Sequence, residues 1–119
     1  MSDQTFYNKQ GRPIAYTYNE HIYLFSGQPV AYFYNDSVYS FSGKHLGRYN
    51  NGWIRDNNGH CALFDQTASG GPAKPAKGAR PAKGAKQAKP AKGAKSARPA
   101  KPASSVSWSS LSGSAFFLV

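Results

Sequence analysis

Hydrophobic and polar positions in the first half of the chain repeat with a period of sixteen residues. Four glycines mark the period: Gly11, Gly27, Gly43 and Gly59. One apolar residue stands five positions before each glycine and another stands three positions after it: Phe6, Ile22, Val38 and Ile54 before, and Ile14, Val30, Leu46 and Ala62 after. A fixed period of this kind indicates one small motif used four times.

Each repeat predicts a β-hairpin. In residues 22–34, two runs of β-branched and aromatic residues flank Ser26-Gly27-Gln28-Pro29. Such runs favour strands, the glycine allows the positive φ of a tight turn, and the proline can open the second strand. Asn19-Glu20 and Asn35-Asp36 predict polar turns between successive hairpins.

The hairpins are expected to bury their apolar positions on one side, because strand side chains alternate between two faces. The simplest assembly closes four hairpins around a pseudo-four-fold axis, with the eight apolar positions inside. An open meander of the same hairpins is the alternative. The predicted fold class is all-β, with four sixteen-residue β-hairpin repeats in a head at residues 1–66 and a disordered tail after it.

Several motifs of this head resemble those of a known family. They are Phe6-Tyr7-Asn8-Lys9, Gly11-Arg12-Pro13-Ile14-Ala15-Tyr16, His21-Ile22-Tyr23-Leu24-Phe25-Ser26-Gly27, Gly43-Lys44-His45-Leu46-Gly47 and Asn51-Gly52-Trp53-Ile54-Arg55-Asp56. Through them, residues 5–65 are similar to the bacterial four-fold β-flower domain. The resemblance implies four β-hairpins around a central axis, and it implies no particular reaction.

Charge separates the head from the rest of the chain. Residues 1–66 carry five cations and five acids, whereas residues 67–119 carry ten cations and no acid, so the net charge of +10 belongs to the second part. A cation preceded by alanine stands at every third position of residues 74–101, which we call the basic tract: Lys74, Lys77, Arg80, Lys83, Lys86, Lys89, Lys92, Lys95, Arg98 and Lys101. Residues 67–103 are expected to be a disordered linker, because their prolines break helices and they have no material for a core.

Two functions compete for the basic tract. In a polyproline II conformation it would align its ten cations on one ridge and reach roughly 90 Å, as a spacer does. Alternatively, the ten cations bind nucleic acid or another polyanion, such as an anionic membrane surface. No aromatic side chain interleaves the lysines to stack on bases, so this binding would be non-specific and salt-dependent.

Residues 104–119, the C-terminal segment, become apolar again. They are predicted to be a docking peptide for an unknown protein partner or for another copy of the chain in a homo-oligomer. The alternative is a cap on the apolar surface of the head itself. The candidate docking residues are Val106, Trp108, Leu111, Phe116, Phe117, Leu118 and Val119.

Repeats three and four depart from the internal pattern. Arg55 replaces the tyrosine of positions 7, 23 and 39, and Arg48 replaces the tyrosine of positions 16 and 32. His45 and Cys61 stand where the first two repeats have proline. These departures suggest a surface patch on the head, formed by His45, Arg48, Trp53, Arg55 and His60, with Asp56 and Cys61 beside them. The alternative is that the later repeats have simply drifted in sequence.

No catalytic, metal-binding or cofactor-binding residues are expected, and the protein is not expected to be an enzyme. His60 and Cys61 are neighbours in a predicted strand and therefore point to opposite faces. His21, His45, His60 and Cys61 lie too far apart in sequence for a compact zinc motif.

The N-terminus has neither the basic nor the apolar region of a signal peptide, and no apolar run approaches the ~20 residues of a transmembrane segment. A cytoplasmic location is expected. The leading hypothesis is a non-enzymatic interaction or adaptor protein, with the head tethered by a basic linker to a docking segment. Binding of nucleic acid or another polyanion is one alternative. A small-ligand module, with a pocket on the axis or near Trp53, Arg55 and His60, is another.

Overall fold

The computed structural model of the chain describes residues 4–118. Eight β-strands form a closed antiparallel barrel, in which each strand pairs with its neighbour in sequence and the last pairs with the first. The strands are β1 (Thr5–Tyr7), β2 (Pro13–Tyr18), β3 (His21–Leu24), β4 (Pro29–Tyr34), β5 (Ser37–Ser40), β6 (His45–Asn50), β7 (Trp53–Asp56) and β8 (Cys61–Phe64). The closed barrel confirms the all-β class and excludes the open meander.

A β-bulge interrupts the pairing of each hairpin at the same place. In the β1/β2 pair, Phe6 lies opposite Ala15 and Tyr7 lies opposite Pro13, so Ile14 has no opposite partner. The same shift recurs in the β3/β4, β5/β6 and β7/β8 pairs. A bulge of this kind bends the strand and breaks its strict alternation. As a result, Ala15 is buried in the main core and the partly buried Ile14 packs against it, whereas alternation alone would place one of them outside.

The core fills the barrel interior. The residues predicted before each turn glycine are fully buried there: Phe6, Ile22, Val38 and Ile54. Small residues pair with three of them, namely Ala15, Ala31 and Gly47. The space that these leave accepts two aromatic rings, Phe116 and Phe117, from a 3-10 helix at Ser114–Leu118. No helix among residues 4–118 is long and apolar enough to cross a membrane.

The basic tract lies along the outside of the barrel. Residues 72–107, which include the tract, form a second repeat with a period of nine residues. Its four nonapeptides begin at Pro72, Pro81, Pro90 and Pro99 and span residues 72–80, 81–89, 90–98 and 99–107. The N–H of the seventh residue of each nonapeptide donates to the carbonyl of one turn glycine: Gly78 to Gly11 at 2.8 Å, Gln87 to Gly27 at 2.9 Å, Ser96 to Gly43 at 2.8 Å and Ser105 to Gly59 at 3.1 Å. One nine-residue repeat therefore spans the distance between successive turn glycines, which are sixteen residues apart in the barrel.

This arrangement differs from the disordered linker that the sequence predicts. The three-residue period of the cations is compatible with an extended solvated chain, and that period drew attention away from the nine-residue period of the prolines. The backbone of the tract has acceptors on the barrel, since Gly84 and Gly93 also donate to the carbonyls of Phe25 and Phe41, both at 2.7 Å. Satisfied backbone groups favour a tract held in place over one that is solvated.

Candidate functional site

The outer face of the barrel carries paired rings at three of the four junctions between repeats. Tyr16 and Tyr23 stack with their centroids 5.7 Å apart, and Tyr32 and Tyr39 stack at 6.0 Å. Between β8 and β1, the stacked pair is Phe64 and Tyr7, at 5.5 Å. Stacked pairs of this kind contribute to stability beyond the area they bury.

Lysines of the basic tract lie over these rings. The third residue of a nonapeptide covers the first tyrosine of a pair, as Lys83 does over Tyr16 at 4.4 Å and Lys92 over Tyr32 at 4.3 Å. The sixth residue covers a tyrosine two positions along the strand, as Lys86 does over Tyr18 at 4.4 Å and Lys95 over Tyr34 at 4.5 Å. Each is a cation–π contact, which stabilises the packed tract and leaves the ammonium group near solvent.

The β6/β7 junction breaks this pattern on both sides. Arg48 lies directly opposite Arg55 where the other junctions have two rings. Asn50 takes the position of Tyr18 and Tyr34, and Ser104 takes the position of Lys86 and Lys95. With Lys101 and Asp56, these residues line a small recess with a cavity volume of about 20 Å³, which we call the notch and part of which opens to solvent.

Both arginines of the notch are more than nine-tenths buried. Arg48 is 7% exposed and Arg55 is 8% exposed. Arg48 Nη2 donates to the carbonyl of Pro99 at 2.6 Å, but Nε and Nη1 have no hydrogen-bond partner among the described residues. Arg55 Nη1 donates to the carbonyls of Gly59 at 2.7 Å and Ser105 at 2.6 Å. Backbone carbonyls position these guanidinium groups without neutralising them.

The nearby carboxylate of Asp56 is engaged elsewhere. Its Oδ1 accepts the backbone N–H groups of Asn58 at 2.9 Å and His60 at 3.0 Å, and its Oδ2 accepts the hydroxyl of Ser109 at 2.7 Å. Among residues 4–118, the recorded ion pair joins Arg98 to Asp36 at 2.7 Å and involves neither buried arginine. The notch therefore carries an excess of positive charge, and neither buried arginine forms an ion pair among the described residues.

Comparison with known proteins assigns the fold to a family. A family model described as "4-fold beta flower protein" matches residues 4–117 of the 119 in the chain. The chain belongs to the 4-fold beta flower protein family. The match is longer than the residues 5–65 that carry the sequence resemblance, because it also includes the basic tract and most of the C-terminal segment. No curated protein and no solved structure matches this chain.

The remaining residues of the predicted surface patch do not join the notch. His45 of this beta flower protein is buried, with Nδ1 2.8 Å from Asn57 Oδ1 and Nε2 3.0 Å from Ser37 Oγ. Burial lowers the pKa of His45, the hydrogen bond with Asn57 opposes that effect, and the charge of Arg48 lowers the pKa further. Trp53 is also buried, and its indole N–H donates to the carbonyl of Ser69 at 2.9 Å. His60 is half-buried and does not line the notch.

No group of three His, Cys, Asp or Glu side chains that could hold a metal ion is found in the part of the chain from residue 4 to residue 118. Cys61 is a buried free thiol, and burial raises its pKa. Because the thiolate is the reactive form, such a cysteine is unreactive.

The C-terminal segment of the beta flower protein packs against its own barrel. Trp108 contacts Trp53 and Phe64 edge-on, with centroids 5.5 Å and 6.0 Å away. Phe116 and Phe117 are buried in the main core, and the partly buried Leu111 packs against it. Val106 and Leu118 are exposed, and Val119 lies outside the described residues. This packing corresponds to the cap that the sequence analysis held as the alternative to a docking peptide.

Sequence reasoning noted both arginines but missed that they face each other, and it missed Asn50, Lys101 and Ser104. Two signals were available. Adding thirty-two residues to the Tyr16–Tyr23 pair gives Arg48 and Arg55, and the nine-residue spacing of the prolines aligns Lys101 with Lys83.

Proposed function

We propose that this beta flower protein is a non-enzymatic binding protein that presents the basic tract to polyanionic partners. The observation that carries the proposal is the attachment of the tract to the barrel, through backbone hydrogen bonds to turn glycines and through lysines over tyrosine rings. All ten cations of the tract remain exposed. The proposal includes a pseudo-four-fold arrangement, in which each hairpin holds one nonapeptide.

A fixed polycation has an advantage over a disordered one. A flexible tract loses conformational entropy when it binds, whereas a tract already held on the barrel has lost most of that entropy on folding. Its charges are also available, since Arg98 pairs with Asp36 and the other nine cations of the tract have no acidic partner among residues 4–118. Nucleic acid is the polyanion we favour, with affinity set by phosphate contacts and without base recognition.

The adaptor hypothesis has less support from the geometry. A docking role would require the C-terminal segment to leave the barrel and expose Phe116 and Phe117, which are 1% and 5% exposed. A protein partner of this segment, self-association and a cytoplasmic location stay predictions.

The test is the salt dependence of binding to a labelled single-stranded oligonucleotide, followed by fluorescence anisotropy. One variant replaces three tract cations that contact no tyrosine ring, Lys77, Arg80 and Lys89, by Gln. The charge-matched control replaces Lys9, Arg12 and Lys44 of the barrel by Gln. If all three tract cations contact phosphate, the slope of log affinity against log salt should fall by about 2, at ~0.7 for each contact.

The control should keep the slope of the unmodified protein. Binding that does not respond to salt, or an equal fall in slope for both variants, would contradict the proposal.

A further inference from the structure

We propose that the notch binds the phosphate group of a small phosphate monoester. The observation that carries this is the buried pair of arginines between β6 and β7, at a junction type that elsewhere holds stacked rings. This site is distinct from the basic tract's outer face. It goes beyond the proposed polyanion binding and does not depend on it.

The arginine pair is unfavourable without an anion. Like charges directly opposite on antiparallel strands destabilise a sheet. A buried guanidinium also loses its hydration, which is tolerated when a counter-ion and hydrogen bonds replace the water. Both arginines are more than nine-tenths buried, and Asp56 is occupied by two backbone N–H groups and a hydroxyl. An anion in the notch would balance the remaining positive charge.

Hydrogen-bond donors surround the notch, and a phosphate would reach the buried Arg48 atoms once the walls of this small recess move apart. Nε and Nη1 of Arg48 carry three of its five N–H groups, and neither atom has a hydrogen-bond partner among the described residues. Lys101 of the tract adds an ammonium, Ser104 of the C-terminal segment adds a hydroxyl, and Asn50 adds an amide from β6. These donors come from different walls, which suits the several oxygens of a phosphate better than the two oxygens of a carboxylate.

Charge balance also favours a phosphate monoester. Arg48, Arg55 and Lys101 bring three positive charges and Asp56 brings one negative charge, which leaves a net charge of +2. A phosphate monoester carries about −1.5 to −2 near pH 7, as phosphorylated side chains do. A phosphodiester within a nucleic acid carries one charge and continues on both sides, which suits a small recess less well than a terminal phosphate group does.

Linked changes in the repeat open the notch. At equivalent places, Tyr18 under Lys86 and Tyr34 under Lys95 fill the outer face. Asn50 and Ser104 replace both partners with smaller groups. The residue on the barrel and the residue that would cover it are both smaller at the junction where arginines replace the stacked rings. The recess and the buried positive charge therefore occur at the same junction.

The experiment titrates the full chain with inorganic phosphate, glycerol phosphate and acetate, using isothermal titration calorimetry and the NMR signal of the Arg48 Nε–H group. The test variant is the double substitution Arg48→Tyr and Arg55→Tyr, which recreates the pair found at residues 16 and 23. The control is Lys9→Gln with Lys44→Gln, which removes two cations outside both the notch and the basic tract.

We expect one phosphate per chain, a shift of the Arg48 signal, and affinity for both phosphates at least about tenfold weaker in the double variant, because charge-assisted hydrogen bonds are lost. The control should bind as the unmodified protein does. Lys101→Gln, which changes an exposed side chain, should weaken binding severalfold with the fold intact.

Three outcomes would overturn the proposal: no phosphate binding, equal affinity in the double variant, or acetate binding as tightly as phosphate. The salt slope for an oligonucleotide separates this site from the basic tract. A double variant that loses phosphate binding but keeps that slope supports phosphate binding in the notch, independently of whether the polyanion proposal is correct.

Discussion

At the scale of single residues, Gly27 meets two demands that no other residue type meets together. Its φ of 99° lies in the left-handed region, which side chains with a Cβ avoid. A Cβ at this position would also lie 1.9 Å from the carbonyl oxygen of Ala85 in the basic tract. The hairpin turn alone explains the glycine at the level of sequence. The structure adds a second reason, which is the close approach of the basic tract backbone.

The two demands can be measured separately. Gly70→Ala should cost about 1 kcal/mol, because Gly70 has a φ of 76° and open space around an added Cβ. Gly27→Ala should cost at least about 1 kcal/mol more, because the tract must move and the bond from Gln87 is lost. Urea denaturation gives both free energies of unfolding. Equal losses for the two variants would mean that the tract does not rest on the turn.

At the scale of elements, the first three nonapeptides are bound to the barrel at the bonds that trypsin would cleave. Trypsin does not cleave before proline, and five of the ten tract cations are not followed by proline: Lys77, Lys83, Lys86, Lys92 and Lys95. The residue after each of these five donates its N–H to the barrel: Gly78, Gly84, Gln87, Gly93 and Ser96. A tract of this composition is normally an excellent protease substrate, and here cleavage requires local detachment.

We therefore expect the tract of the native protein to resist trypsin, as followed by mass spectrometry of the fragments. Tyr32→Leu removes the ring beneath Lys92 and Lys95, and each lost cation–π contact is worth ~0.5–1 kcal/mol. Cleavage after these two lysines should rise by several-fold. Cleavage after Lys83 and Lys86 is the internal control, because Tyr16 still covers that part of the barrel.

A rise shared by all four bonds would indicate general destabilisation. Rapid cleavage at every site in the unmodified protein would contradict an attached tract.

The same elements show what the sequence could and could not predict. The sixteen-residue glycine period was enough for the hairpins and for the interior positions of Phe6, Ile22, Val38 and Ile54. The bulge at Ile14 escaped prediction, because strict alternation allows a single inward position there. The attachment of the tract escaped because its contacts join residues far apart in sequence, such as Gln87 and Gly27. The notch escaped prediction for the same reason, because Lys101 and Ser104 reach Arg48 and Arg55 only through that attachment.

At the scale of the whole molecule, the C-terminal segment completes the core. Phe116 contributes a fully buried ring to the interior, and a Cβ on Gly47 would lie 3.2 Å from its Cζ atom. The barrel without this segment would contain a void where the small residues of β2, β4 and β6 face the interior. Cavities of that kind are costly, because neighbouring atoms relax into them incompletely.

Phe116→Ala should therefore lower the free energy of unfolding by about 3–5 kcal/mol. Leu118→Ala, two residues further along the same 3-10 helix, should have little effect, because Leu118 is 68% exposed. Thermal and urea denaturation of both variants provide the measurement. A small loss for Phe116→Ala would instead favour a segment available for docking to a partner.

The seam between β1 and β8 has a consequence for how the molecule is made. Within the described chain these strands share one register pair, Tyr7 opposite Phe64. Ser112 bridges them, since its hydroxyl donates to the Ala62 carbonyl at 2.9 Å and accepts the Lys9 N–H at 2.9 Å, across 103 residues of sequence. Contacts this distant form late and slow the folding of a domain. During synthesis, the first hairpin is made early, but its outer edge stays unpaired until β8 follows, and the Ser112 bridge completes the seam only once residue 112 has been made.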